Sequence, residues 1–245
     1  MHPPLYHRPV MLQEALLSLQ VKPHGIYIDL TFGGGSYSRA ILERLSSGRL
    51  LAFDQDPEAL TQAKEIDHPC FTFIHANFRF LQAFMTAYHI EKVDGIVADL
   101  GTSSHQLDQA ERGFATRLAG PLDMRMNPAS TLTATDIINT YPLKDLVNIF
   151  RTYGQIYNPL QLAKAIIHAR KARPILTTHQ LVALLTPFAP PSRQHKYYAK
   201  VFQALRITVN DELGALQDML TQTVALLKPH ARLVLLSYHS LEDRL

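Results

Sequence analysis

Three aspartates close short apolar runs in this chain: Asp29 after Gly25-Ile-Tyr-Ile28, Asp54 after Arg49-Leu-Leu-Ala-Phe53, and Asp99 after Val93-Asp-Gly-Ile-Val-Ala98. The third opens the run Asp99-Leu-Gly-Thr-Ser-Ser-His-Gln-Leu-Asp108, followed by Arg112-Gly-Phe114 and Leu122-Asp-Met-Arg-Met126. A carboxylate at a strand tip with small polar residues directly behind it is how an open α/β sheet builds a ligand site. Asp29-Leu-Thr-Phe-Gly-Gly-Gly-Ser36 adds a glycine turn between a strand and a helix, where a ligand can approach the backbone closely.

The elements needed to position these residues are spaced as in a parallel sheet. Strands are expected over Gly25–Leu30, Arg49–Asp54, Phe71–Ile74 and Val93–Asp99, with helices between them. Asp56-Pro57-Glu58 is a good helix start, with proline in the first turn and acids at the positive end of the dipole. From about Asp108 to Ala199 the pattern turns helical and is broken by prolines, which reads as an insertion. An amphipathic helix from Asp211 through Leu213, Leu216, Leu220, Val224 and Leu227, and a fifth strand over Arg232–Tyr238, resume the α/β pattern. The expected division is a first core segment 1–107, a helical insertion 108–200 and a second core segment 201–245.

At 245 residues and 47% apolar the chain can bury one large core or a core with a satellite domain. No stretch approaches ~18 uninterrupted apolar residues and the N-terminus lacks a signal-peptide layout, so a cytoplasmic protein without a membrane partner is expected. One cysteine, Cys70, excludes an intramolecular disulfide and any Cys-x-x-Cys motif, and no metal site is expected. The net charge of +3 hides an imbalance: residues 146–210 contain no acid but nine lysines and arginines, leaving a net charge of −6 elsewhere. With Tyr197-Tyr198 beside Lys196 and Lys200, that segment suits RNA.

The glycine turn alone admits two cofactors. Asp54 lies 19 residues beyond Gly35, where a nicotinamide-binding turn places its ribose acid, yet the Gly-x-Gly-x-x-Gly spacing fails because position 38 is serine. An acid inside the turn, Asp29, could hold a cationic amino-acid moiety directly or through water, and Asp99 adds a further tip carboxylate. These favour S-adenosylmethionine. Phe78, just after the third strand, is placed to cover a purine or to sit beneath the sheet.

Longer motifs then carry a resemblance. Tyr6-His-x-Pro-Val10, Asp29-x-Thr-Phe-Gly33, Phe53-Asp-x-Asp-Pro57, Asp94-Gly95, Asp99-Leu-Gly-x-Ser-Ser104, Gln106-Leu-Asp108, Arg112-Gly-Phe114, Pro121-Leu-Asp-Met-Arg-Met126, Phe202-Gln-Ala-Leu-Arg-Ile207, Asn210-x-Glu-Leu213 and His239-Ser-Leu-Glu-Asp-Arg244 together resemble the bacterial small-subunit ribosomal RNA cytosine N4-methyltransferases, the MraW family, over nearly the whole chain. The resemblance implies a class I S-adenosylmethionine-dependent methyltransferase fold, Rossmann-like and mainly parallel, with a helical insertion domain. It implies as substrate one cytidine in the decoding region of 16S ribosomal RNA, in the small ribosomal subunit, and not DNA. Donor contacts are expected at Gly33, Gly35, Ser36, Tyr37, Asp54, Phe78, Asp99 and Gln106. Catalysis is expected from Asp99, His239, Ser240 and Asp123, and RNA contacts from Arg112, Arg125, Arg206 and Asn210.

The chain departs from the family pattern at Ser36-Tyr37, where Gly-His is usual, at Gln155, where an acid is common, and at Tyr238, which stands for phenylalanine. Relatives continue past the position of Leu245 with a basic segment whose strands complete the sheet, so an open sheet edge is expected here. A different class of function, a non-catalytic RNA-binding or ribosome-assembly factor on the same fold, is the alternative that these departures motivate.

Overall fold

The computed structural model describes residues 10–245; Tyr6, His7 and Pro9 of the first motif lie outside the described residues. The chain divides into two compact units, one formed by residues 1–103 and 213–245 and the other by Ser104–Glu212.

The first unit is a parallel sheet clad on both faces. Its elements are α1 (Leu12–Leu19), β1 (Ile26–Asp29), α2 (Ser36–Leu42), β2 (Arg49–Asp54), α3 (Pro57–Ala63), β3 (Phe71–His75), α4 (Leu81–Ala87), β4 (Val93–Asp99), α11 (Glu212–Leu226, all but its first residue) and β5 (Leu227–Leu236). All strand pairs are parallel, in the order β3-β2-β1-β4-β5. Alternate residues along each strand serve opposite faces. Ile28, Leu51, Phe53 and Ile96 meet Leu81, Met85, Leu216 and Met219, while Tyr27, Leu50 and Val97 meet Leu16, Leu19 and Ile41. Asp56 caps α3 by accepting from the Glu58 N–H at 3.1 Å, with Pro57 at the first helical position, as the sequence leads one to expect.

Two details differ from the sequence reading. β5 starts at Leu227 rather than Arg232, because Leu227 pairs with Val93 and Arg232 with Gly95, and the residues between bulge outward around His230 at φ 66°. On α11 the buried stripe is Ala215, Leu216, Met219, Thr223 and Leu226, so Val224 points outward at 81% exposure. The motif acid Asp94 sits at the end of the sheet opposite the carboxylate tips. There it accepts from Ile26 N–H at 3.0 Å and Lys228 Nζ at 2.7 Å, a brace for the strand starts.

The second unit contains α5 (Ser104–Asp108), α6 (Ala134–Thr140), α7 (Leu143–Thr152), α8 (Pro159–Ala172), α9 (Thr178–Leu185) and α10 (Gln194–Asn210) around its own apolar core. α6 and α9 open with capping boxes, Thr133 with Asp136 and Thr177 with Gln180. The boundary expected at residue 200 falls inside α10, whose Val201, Phe202, Ala204 and Leu205 fill that core, so the unit runs on to Glu212. Tyr197 and Tyr198 are core residues as well, not an exposed pair beside the lysines. The Tyr197 hydroxyl donates to Asn158 Oδ1 at 2.8 Å, and that of Tyr198 is 3.0 Å from Thr186 Oγ1. Among the described residues, no helix is long and apolar enough to cross a membrane.

Candidate active site

The carboxyl ends of β1, β2 and β4 bring Asp29, Asp54 and Asp99 to one end of the sheet, because in-register parallel strands end together. Asp29 is 1% exposed and accepts from the Thr31 N–H at 3.1 Å and the Ser38 hydroxyl at 2.7 Å. It therefore braces the glycine turn from beneath. Asp54 accepts from the Gly33 N–H at 2.8 Å and the Asp56 N–H at 2.9 Å, tying the turn to the start of α3. The Asp99 N–H donates to Thr31 Oγ1 at 2.7 Å, and the Asp99 carboxylate accepts from the Tyr238 hydroxyl at 2.5 Å.

The donors to Asp29 and Asp54 in these bonds are backbone N–H groups and a hydroxyl, which carry no formal charge. Burial pushes both carboxyls up, each to about 6, against the opposing effect of those hydrogen bonds; the charges of Asp54 and Asp99 add to the rise at Asp29. A cluster of this kind favours a cation over an anion. In the turn itself, Gly33 and Gly35 have φ of +53° and +78°, and a Cβ at Gly33 would meet only the Thr31 carbonyl oxygen, at 4.0 Å, so the backbone lies open there.

The other residues expected to touch the donor are placed variously. Ser36 begins α2 beyond Gly35. Tyr37 is buried at 4% exposure and its hydroxyl donates to the Val10 carbonyl, with burial and the Asp99 and Asp29 charges all raising its pKa. It supports the turn from inside. Phe78 follows β3 and is partly buried against the core cluster beneath the sheet. Asn77 beside it donates to Gln55 Oε1 at 3.0 Å, which links the ends of β3 and β2. Gln106 is buried on α5, in the helical unit.

After β5 the chain forms a tight turn around Glu242. This buried carboxylate accepts from the Tyr238 N–H at 2.9 Å, and Ser237 donates its hydroxyl to Asp243. His239 Nε2 lies 3.4 Å from Glu242 Oε1, and Ser240 is exposed on the same turn.

In the helical unit the expected RNA contacts are already engaged in bracing. Arg125 forms a two-pronged pair with Asp123, at 2.9 and 2.6 Å, and donates to the carbonyls of Pro128 and Ser130, both at 2.7 Å. Burial works against the charge on Asp123, yet the Arg125 hydrogen bonds hold its carboxyl below the ordinary range. Arg112 donates to the carbonyls of Arg125 and Met126 at 3.1 and 3.0 Å. Asn210 accepts from Met126 N–H at 2.7 Å and donates to the Met124 carbonyl at 2.8 Å. Arg206 pairs with Glu212 through two bonds of 2.8 and 2.9 Å. Gly113 has φ +71°, and a Cβ there would come within 2.2 Å of the Pro121 carbonyl oxygen, so the loop closes only around glycine. Arg112, Asp123, Arg125 and Asn210, with Gly113, build one scaffold for the 112–130 loop, while Arg206 is tied to Glu212.

The sequence reading did not single out Thr31, Ser38 or Tyr238 as partners of the tip carboxylates. Thr31 and Ser38 lie within two to nine residues of Asp29, so the turn signal pointed to them; the Tyr238 contact spans 139 residues and has no local signal.

The sheet order, its parallel register and the carboxylates ending β1, β2 and β4 are those of a Rossmann-like α/β protein with a ligand site at its strand tips, and the family match makes it a class I S-adenosylmethionine-dependent methyltransferase. A family model described as the MraW methylase family matches residues 4–245, and the chain belongs to that family. Ribosomal RNA small subunit methyltransferase H of Amoebophilus asiaticus is 56% identical over 98% of this chain and 77% of its own length. The proteins of that name from Cytophaga hutchinsonii and Bacteroides thetaiotaomicron are 50% and 49% identical, each over 98% of this chain, and over 81% and 79% of their own lengths.

Proposed function

We propose that the chain transfers a methyl group from S-adenosylmethionine to the exocyclic N4 amine of a cytidine in the 16S ribosomal RNA of the small subunit. The observation that carries this is the acidic, cation-favouring set of strand tips beside an open glycine turn, in a member of a family whose relatives are named for methylating small-subunit ribosomal RNA. S-adenosylmethionine supplies, when bound, an electrophilic methyl carbon on a sulfonium.

Gly33, Gly35 and Ser36 offer backbone to the donor, and Asp54 accepts from ribose hydroxyls with lone pairs beyond those its two backbone partners use. Asp99 receives an amine hydrogen of the base. That bond favours the pyramidal nitrogen, whose lone pair is otherwise delocalised into the ring, and alignment of the pair supplies on the order of 7 kcal/mol of the barrier. The amine becomes acidic as it is alkylated, so no strong base is needed beforehand. His239 and Ser240 lie on the turn after β5 and face the same task of orienting the base. Attack at carbon 5 would need a cysteine nucleophile, and Cys70 is buried before β3, at the end of the sheet away from the tips.

RNA is gripped by the exposed cations of the acid-free segment, among them Arg151, Lys164, Lys171, Arg173, Arg193 and Lys196. Arg112, Arg125 and Asn210 act one step back, as the frame of the 112–130 loop, Asp123 keeps Arg125 in place, and Arg206 braces the end of α10 through Glu212. Unstacking the target cytosine costs a few kcal/mol, which phosphate contacts offset.

Labelled S-adenosylmethionine incubated with small ribosomal subunits lacking the modification, followed by nucleoside analysis, is expected to yield N4-methylcytidine. Methyl on another atom or nucleoside overturns the assignment. RNA binding with steep salt dependence and no turnover supports the non-catalytic factor instead.

A further inference from the structure

β4 and β5 run side by side to the site, with Asp99 opposite Leu236 and the Leu100 N–H bonded to the Leu236 carbonyl at 3.0 Å. Two residues later the chain is held by Glu242, whose carboxylate takes the Tyr238 N–H at 2.9 Å. The turn is braced again where Ser237 meets Asp243. This fixes the backbone of an aromatic residue that is itself 54% exposed, yet whose hydroxyl turns inward to Asp99 Oδ1 at 2.5 Å. The ring lies beside Gly101, where a Cβ would be 3.7 Å from Tyr238 Cδ2. A phenol held from behind, with its proton on the tip carboxylate, is placed to control that carboxylate.

We propose that Tyr238 is a positioning residue for methyl transfer, acting through Asp99: its hydroxyl selects the orientation in which the Asp99 carboxylate receives the amine hydrogen. The inference rests on the reading of Asp99 given under Proposed function. The bond occupies one lone-pair direction of Oδ1 and holds the plane of the carboxylate, which leaves the remaining lone pairs facing one way for the amine hydrogen. The same contact works in reverse on the phenol: burial first, then the bond to Asp99 and its charge, raise the Tyr238 pKa, so the hydroxyl keeps its proton throughout the working range. Among the described residues, Tyr37 on α2 and Glu242 in the turn also act on the phenol, and both disfavour its ionisation.

The test is Tyr238→Phe, which keeps the ring and removes only the hydroxyl, compared with Asp99→Asn. Single-turnover methyl transfer to unmodified small ribosomal subunits is measured from pH 5.5 to 8.5, with KM for S-adenosylmethionine and for the subunit. The expected result for Tyr238→Phe is a rate about tenfold lower across the pH range, with both KM values within about twofold of the parent. A parent-like pH profile and rate in Tyr238→Phe, with Asp99→Asn inactive, overturns the role of Tyr238 alone. An active Asp99→Asn overturns the reading of Asp99 on which the inference stands. A rise in KM with no change in rate or profile overturns it too, since it would make Tyr238 a binding contact and nothing more.

Discussion

The two units use charged residues in opposite ways. In the sheet unit, Asp29 and Asp54 are held by backbone N–H groups and a hydroxyl, so their charge is left to act on a ligand. In the helical unit, the charged residues of the motifs neutralise one another or are used up on carbonyls, as Arg125 is by Asp123, Pro128 and Ser130. The cations left to act outward are the exposed ones between residues 146 and 210, and none of the recognised motifs contains Lys164, Lys171 or Arg173. A motif charge thus signals function at the strand tips and architecture in the helical unit, as it also does at Asp94 and Glu242 in the sheet unit, and the partner decides which.

The contrast breaks most visibly at Asp99. Asp99→Ala is expected to lower methyl transfer on the order of 10³-fold while circular dichroism and thermal melting stay near the parent. Loss of folding in place of activity would make Asp99 a brace like the acids of the other unit. Arg206→Met tests the opposite claim. It strands the shielded Glu212 carboxylate, so the melt should show a loss of about 3 kcal/mol with little change in the salt slope of RNA binding. A stable variant with weakened RNA affinity would return Arg206 to the RNA-contacting group.

Replacing Lys164, Lys171 and Arg173 together by serine should leave the melt within about 0.5 kcal/mol and weaken RNA binding about tenfold or more, with the salt slope reduced by roughly 2 to 3. An unchanged slope would place the RNA-binding face elsewhere. The smallest effect is one of pH. Asp29 and Asp54 are raised to about 6, so a cationic donor should bind more tightly as pH rises from 5 to 7 and level off above. In the donor-free protein the same two groups work the other way. The folded state keeps protons that the unfolded chain has already released, so their contribution to stability declines as pH rises from about 4 through 6. Calorimetric donor titration across that range checks the first and thermal melting of the donor-free protein the second, and Asp54→Asn should flatten both dependences.

Much of the sheet was legible because its strands end in acids and their apolar runs are bounded by turn residues. β2 and β4 fall at the expected residues. The start of β5 was not legible, since Pro229 and a positive φ at His230 read as a turn although Leu227 still pairs with Val93. The end of the insertion was misplaced because α10 carries an unbroken helical pattern across residue 200, and only tertiary packing shows which core it fills. Tyr197-Tyr198 looked like a stacking pair because of neighbouring lysines. On a helix, adjacency in sequence does not mean a shared face, and the lysines point out while the phenols point in. The tie between Tyr238 and Asp99 could not be read at all, since nothing local links residues so far apart.

The chain enters the helical unit once, after Ser103, and leaves it once, at Glu212. Heredity can therefore treat the insertion as a cassette. A lineage that replaced it would inherit the glycine turn, Asp54 and Asp99 intact. Selection on the helical unit and selection on the strand tips would then fall on different stretches of the gene, and recombination at the two crossings would separate them.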